Sequence, residues 1–380
     1  MSLFLALFFF LYSGMHFYAY RKLSAAFPLP LPGACFVIAG MLVMIFAPLF
    51  VRLLERSGFG SVAVPLAYAG YLWMGFLFLF FVVMLAIDLG GLVVRCIGWG
   101  VQRDCLPYLA GRHAFILASA LALVISCYAY HEALAVGVEN VVIPTTKLPA
   151  TVKSLKIAQI SDVHLGLVVQ QKRLARIVRE IEKVQPDLLV STGDLIDGQT
   201  DGMTTLADAL VKVRPRFGKF AVTGNHEYYA GIENSLSFMN RAGFVVLQGE
   251  ARDIGGLIAV VGVDDPAGMR FGSSGIPEEK VLKQVPPGQF VLLLKHRPLV
   301  NKGSVGSFDL QLSGHVHKGQ IFPFGMVTYL FYPVKTGLTM IMDCYRLYIS
   351  RGTGTWGPPL RFLAPPEITV IELVRSSVKE

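Results

Sequence analysis

Four apolar stretches fill the first third of the chain and constrain its folding more than any other feature. Residues 2–20 carry no charged side chain apart from His16, residues 33–51 and 57–87 carry none, and residues 113–131 carry only His113 and His131. A helix needs about 20 mostly apolar residues to cross a bilayer. Breakers separate the stretches: Pro28, Pro30 and Pro32 after the first, Gly58 and Gly60 after the second, Pro107 and Gly111 before the fourth. The reading is an α-helical membrane domain over 1–136, with four spans at about 2–20, 33–54, 65–92 and 113–136. The first stretch has no basic start and no clean small-residue cleavage site after it, so it reads as an anchor rather than a signal peptide.

Composition follows from this arrangement. Only 16% of the 380 residues are charged, against roughly 25% in an ordinary soluble domain. Residues 1–136 hold seven Lys/Arg and four Asp/Glu, whereas 137–380 hold 27 and 22. The net charge of +8 therefore splits as +3 and +5 with no basic run, and no nucleic-acid partner is expected without a clustered basic patch. Of the five cysteines, Cys35, Cys96, Cys105 and Cys127 lie in the apolar third and only Cys344 beyond it. That excludes an internal disulfide in the globular part, and no CxxC pair marks a zinc finger.

Basic residues in short loops set orientation. Arg21, Lys22, Arg95, Arg103 and Arg112 fall on one side, and Arg52, Arg56 and Lys147 on the other. That count leans the termini and the globular domain toward the extracytoplasmic side of the cell or inner membrane, although adding Lys153 and Lys156 makes it a tie. Asp88, near the end of the third span, and His131 with Glu132, at the end of the fourth, read as solvated interfacial groups, with an intramembrane functional role as the alternative.

Residues 137–154 contain Pro144 and Pro149 and read as an extended linker, with one strand at 141–143. From residue 155 short apolar runs alternate with amphipathic stretches. Residues 173–184 place Leu174, Ile177, Val178, Ile181 and Val184 at helical spacing. Strands are expected at 155–160, 187–192, 220–223, 257–263, 290–294 and 310–312, with closing strands within 339–350 and 367–373. The alternation implies an α/β layered domain rich in parallel sheet over 155–375.

Sites in such sheets gather beyond the carboxyl ends of strands. The run ending at Ile160 is followed by Asp162 and His164, and that ending at Thr192 by Gly193 and Asp194. Thr223 is followed by Gly224, Asn225, His226 and Glu227; Lys295 by His296; Ser313 by Gly314, His315, Val316 and His317. Carboxylate, amide oxygen and imidazole are ligand types for Mn, Fe or Zn, and the set exceeds the need of one ion. Two metals roughly 3.5–4 Å apart would clamp a phosphoryl group and activate a shared water near neutral pH.

The order Asp-x-His, Gly-Asp, Gly-Asn-His-Glu, His, Gly-His-x-His resembles the calcineurin-like metallophosphoesterase superfamily. The resemblance implies a four-layer αββα sandwich and two divalent metal ions. It implies Asp162, His164 and His317 on the first metal, Asn225, His296 and His315 on the second, and Asp194 bridging both. His226 would orient the phosphate and protonate the leaving oxygen. The stretches 157–166, 313–320 and 350–354, with Pro365, Pro366, Glu367 and Ile368, resemble membrane-tethered bacterial members described as similar to UDP-2,3-diacylglucosamine hydrolase. That subgroup commonly has Gly-His-Thr-His-Gly-Gly-Gln; here Val316 replaces the Thr and Lys318 the first Gly, and neither change touches a ligand. Lys318 reads equally as a cation beside the phosphate or a solvated lysine. Arg297 reads as a surface residue first and a phosphate contact second. Trp356 and Arg361 read as pocket lining or as closing-strand packing.

Residues 321–332, just after the last candidate ligands, are very apolar for a loop near a site. The plainer reading is a buried hairpin; the functional one is a lip that enters the bilayer or receives an acyl chain. The leading function is a membrane-anchored dimetal hydrolase of a phosphomonoester, phosphodiester or pyrophosphate, with a lipid-linked or envelope phosphate as favoured substrate. The alternative is a membrane sensor or assembly protein with a relict domain, against which every ligand position stands filled. A transporter is disfavoured, since one central acid makes a poor transport path.

Overall fold

The computed structural model describes residues 2–100, 111–198, 203–342 and 345–376. Arg103, Cys105, Pro107 and Cys344 lie outside the described residues. The chain divides into two compact units, Met1–His131 with Gly357–Leu360, and Glu132–Trp356 with Arg361–Glu380.

The apolar third forms helices α1 (Ser2–Ala26), α2 (Leu31–Arg56), α3 (Gly60–Gly100) and α4 (Gly111–Leu134). Within the described residues, three of them, Leu31–Arg56, Gly60–Trp99 and Gly111–Leu134, are long and apolar enough to cross a membrane. Helix α3 includes Pro65, the expected start of the third span, and begins five residues before it. That proline stands near the helix start, where its missing N–H removes little of the bonding ladder. Small residues set the α2–α3 approach: a Cβ on Gly70 would lie 2.9 Å from the Cβ of Ala47. Asp88 is not simply solvated. Its carboxylate accepts hydrogen bonds from Tyr18 Oη at 2.5 Å and Lys22 Nζ at 2.6 Å, tying α1 to α3.

The second unit holds β1 (Gly137–Thr145), β2 (Ser154–Ile160), α5 (Gln171–Val184), β3 (Leu188–Ser191), α6 (Thr204–Val211), β4 (Lys219–Ala221), α7 (Asn225–Ala230), α8 (Ile232–Arg241), β5 (Val245–Val246), β6 (Glu250–Ile254) and β7 (Ile258–Gly262). It continues through α9 (Glu278–Leu282), β8 (Phe290–Leu294), β9 (Leu310–Ser313), α10 (Phe324–Phe331), β10 (Gly337–Met342), β11 (Tyr345–Ile349) and β12 (Glu367–Arg375). One sheet has the order β1-β12-β2-β3-β4-β5 and the other β10-β11-β9-β8-β7-β6. The central strands β2, β3 and β4 are mutually parallel, as are β7, β8 and β9. A core that includes Ile157, Val190, Leu292, Leu312 and Ile371 joins residues of both sheets. Burial of each such side chain stabilises the fold by about 1.5–3 kcal/mol. Helix α5 buries Leu174, Ile177, Val178 and Ile181, as its spacing predicts. Val281 and Leu282 of α9 pack on Val261, Val291 and Leu293.

Two stretches depart from the expectation. Residues 137–145 are extended, but as a nine-residue strand paired in parallel with β12 rather than a loose linker. Residues 321–332 do not form a buried hairpin: Phe324–Phe331 is a helix with no buried residue.

Candidate metal centre

Every predicted strand-end motif follows a central strand. Asp162 and His164 follow β2, Asp194 follows β3, and Asn225 and His226 open α7 after β4. His296 follows β8, and His315 and His317 follow β9. Two sheets thus contribute to one group of side chains. Ligand atoms of Asp162, His164 and His317 lie within 4.8 Å of one another, as do those of Asp194, His296 and His315, and those of His164, Asp194 and His226. Distance alone therefore does not separate His226 from the ligand positions.

The local backbone is unusual. Asp162, His164, Asp194, His315 and His317 all take positive φ, between 47° and 72°. Non-glycine residues avoid this left-handed region, and it costs of order 1–3 kcal/mol where it is enforced. The turns aim side chains inward from strand ends that would otherwise carry them past the site. Close approach explains two of the flanking glycines. A Cβ on Gly193 would stand 2.7 Å from both Gly224 N and His296 Nδ1. One on Gly314 would stand 1.9 Å from Ser161 Oγ. Lys318, in the same turn as His317, sits at φ 52°.

Hydrogen bonds orient the donors. The His315 N–H donates to Asp162 Oδ1 at 3.0 Å, and Ser161 Oγ donates to Asp162 Oδ2 at 2.5 Å. The His226 N–H donates to Asp194 Oδ1 at 2.8 Å. His296 places Nδ1 2.8 Å from the Thr192 carbonyl, so this nitrogen donates and Nε2 points to Asp194 Oδ2 at 3.1 Å. His164 Nε2 and His317 Nε2 face each other at 3.1 Å, as do His315 Nδ1 and His296 Nε2. The Asn225 Oδ1 is buried without a hydrogen-bond partner. A set of converging imidazole nitrogens, two buried carboxylates and an unsatisfied amide oxygen is short of positive charge at its centre. It fits divalent cations, which need deprotonated donors of these types.

Electrostatics agree with that fit. Burial alone would raise the Asp194 carboxyl, but the facing His296 and His226 imidazoles pull it well below the ordinary range. Burial alone would lower His296, but Asp194 outweighs it and holds the imidazole at about 10. Burial and the neighbouring His296 push His315 down to about 3. Burial also takes His317 to about 4 against the pull of Asp162. His315 and His317 are thus neutral donors at physiological pH, whereas His296 holds a proton in the metal-free site that a bound cation would displace.

The substrate-contact candidates fare differently. Arg361 is fully buried, with donors on the carbonyls of Gly354, Arg351 and Ala364 and its Nη2 3.3 Å from His317 Nδ1. Its guanidinium is committed to these backbone carbonyls beside His317. Arg297 is forked onto Asp265, at 2.8 Å from Nε and 3.0 Å from Nη2. Lys318 is exposed beside the His317 turn. The Trp356 ring lies 5.7 Å from the His226 ring and the Tyr229 ring 5.5 Å from it, so aromatics border that imidazole.

Three residues with parts in the site escaped the sequence reading. Asp197 Oδ1 lies 2.7 Å from His226 Nδ1. Glu227, wholly buried, accepts from the backbone N–H groups of Asp194, Ile196 and Gly224 at 3.0, 3.1 and 2.7 Å. Tyr332 places its hydroxyl 3.0 Å from His315 Nε2. Glu227 stood in the quoted Gly-Asn-His-Glu motif, and Asp197 closes Gly-Asp-Leu-Ile-Asp, so local signals existed for both.

Comparison with known proteins agrees with this geometry. Residues 155–319 match the model of the calcineurin-like phosphoesterase family. A metallophosphoesterase of Aquifex aeolicus, described as uncharacterized, is 39% identical over 67% of this chain and 97% of its own length. A transmembrane protein with metallophosphoesterase domain from Danio rerio is 33% identical over 62% of this chain and 57% of its own. An uncharacterized metallophosphoesterase of Helicobacter pylori is 36% identical over 58% of this chain and 60% of its own. The chain thus spans nearly all of the first relative and less than two thirds of the other two. The chain belongs to the calcineurin-like metallophosphoesterase family, whose members are metal-dependent hydrolases.

Proposed function

We propose that this chain is a membrane-anchored dimetal phosphoesterase acting on a lipid-linked or envelope phosphate. The observation that carries the reading is the meeting of three overlapping ligand sets, sharing Asp194 and His164, at the ends of strands from both sheets. In this reading Asp162, His164 and His317 hold one divalent ion, Asn225, His296 and His315 the other, and Asp194 both. Manganese, iron and zinc all suit these donors. Such ions supply Lewis-acid polarisation of phosphoryl oxygens and a nucleophile active near neutral pH.

The protein's own groups account for the remaining steps. His226, backed by Asp197, carries a proton to the leaving oxygen. Asn225 holds its oxygen toward the ions. Lys318 offers an exposed cation near the phosphate, whereas Arg297 is committed to Asp265. The bond cleaved is a phosphomonoester, phosphodiester or pyrophosphate. Glu227 holds the Asp194 and Asn225 turns together through three backbone N–H groups.

The anchor supports the choice of substrate. Helix α1 joins the three long apolar helices as a fourth span, over a membrane domain of residues 1–136, and the site faces the extracytoplasmic side by the loop-charge count. The likeness to members described as similar to UDP-2,3-diacylglucosamine hydrolase fits a lipid phosphate as well. The competing reading, a sensor with a relict domain, predicts eroded ligand positions, and all are filled. Screening the purified chain against phospholipids, nucleotide-sugar lipids and nucleotides tests the substrate class. Preferential turnover of a lipid phosphate supports it, and preference for soluble nucleotides contradicts it.

A further inference from the structure

The segment after the last ligand strand exposes a concentration of apolar surface that the hydrolytic site does not use. Helix α10 has no buried side chain, and Leu330 and Phe331 are 78% and 74% exposed. Met326, and Met340 on β10, are exposed as well. The segment is not loose. Tyr332, Val334 and Ile341 pack against a core of Val316, Leu347 and Ile349, so its inner side is fixed and its outer side stands in solvent. Soluble surfaces seldom carry contiguous apolar patches beyond a few hundred Å², and larger ones mark interaction sites.

We propose that the α10–β10 element docks into the surface of an anionic lipid bilayer and so brings the head groups of lipid substrates to the metal centre. Charge identifies the occupant. From His315 to Met342 the chain has no Asp or Glu, and its only charged residues are Lys318 and Lys335, both exposed. Apolar side chains flanked by lysines match an interface of acyl chains beneath anionic head groups. Chain length supplies the second argument: only two residues separate Leu134, the last of the apolar helix α4, from Gly137, the first of β1. Continuity with the site supplies the third, because Tyr332 closes the segment 3.0 Å from His315 Nε2. The delivery of substrate rests on the phosphoesterase reading; the docking does not.

The test uses the full chain in vesicles of phosphatidylethanolamine and phosphatidylglycerol. With Leu330→benzoylphenylalanine, illumination is expected to give lipid adducts at a yield about tenfold above that of Arg252→benzoylphenylalanine, an exposed position on β6. Adducts to a second copy of the chain, or equal lipid yields at the two positions, overturn the docking. In a second arm, Leu330→Glu with Met340→Glu is expected to lower the ratio of vesicle-borne to soluble diester turnover by about tenfold. An unchanged ratio overturns the delivery of substrate. If the wild-type chain hydrolyses neither substrate, the phosphoesterase reading fails, and the adducts alone still decide the docking.

Discussion

His226 Nδ1 lies 2.7 Å from Asp197 Oδ1, and both side chains sit beside the ligand cluster without belonging to the proposed metal sets. A carboxylate on one ring nitrogen fixes which way the imidazole faces and stabilises its protonated form. The other nitrogen is then the one that can serve a leaving oxygen. Asp197→Asn is expected to slow turnover of substrates with poor leaving groups by about 10–100-fold. Substrates with good leaving groups should be far less affected, and metal content should stay at the wild-type level. Equal losses across leaving groups would assign Asp197 to folding instead.

His226→Ala tests the neighbouring question, since ligand atoms of His226, His164 and Asp194 fall within 4.8 Å of one another. A general acid contributes about 10²–10⁴ in rate. The variant should lose that order of turnover on poor leaving groups and retain its metal. Elemental analysis that finds the metal gone would make His226 a ligand.

Much of this site is legible in the sequence because its polar motifs each follow an apolar run. At Asp194, Asn225 and His315 a glycine also stands directly before the ligand and marks the turn. The edge strand β1 is less legible: Gly137–Thr145 is mostly exposed and contains Pro144, a residue tolerated at a sheet edge. Helix α10 lacks a polar face, so no periodicity separates it from a buried hairpin. Arg361 stays ambiguous for another reason. The sequence leaves it between pocket lining and closing-strand packing, because the three backbone carbonyls that enclose its guanidinium are not encoded in spacing. Asp197 and Glu227 act on other site residues, and that role depends on contacts that spacing does not encode.

Glu227 should be the most sensitive of these positions for stability. Its buried carboxylate satisfies three backbone N–H groups at two ligand turns. Removing a partner leaves each buried donor at a cost of about 1–3 kcal/mol. Glu227→Ala is expected to lower the thermal midpoint by several degrees and to reduce metal content, both measured on the purified chain. An unchanged midpoint would mean that water replaces the carboxylate.

Lys219 gives a pH-dependent prediction away from the metal site. Its ammonium is buried and donates to the Leu210 and Ala242 carbonyls at 2.7 and 2.6 Å. Burial, aided by Arg214, lowers it from 10.5 to about 8. Between those values the unfolded chain binds more protons than the folded one, so this group makes stability rise with pH. The gain is at most about 3 kcal/mol. Thermal midpoints from about pH 8 to pH 10 should rise in the wild type relative to Lys219→Met. A constant difference across that range would place the folded-state titration outside it.

The central claim is that the strand-end cluster binds metal and that the bound metal hydrolyses phosphate esters. Metal content and hydrolysis of a soluble chromogenic diester, measured together on the wild type and on Asn225→Ala, test it most directly. Asn225 contributes a buried amide oxygen that has no hydrogen-bond partner among the described residues. The wild type should carry about two divalent ions per chain and hydrolyse the diester. Asn225→Ala should lose part of the metal and about 10²-fold or more of the activity. A wild type without metal, or a variant with unchanged activity, would contradict the account.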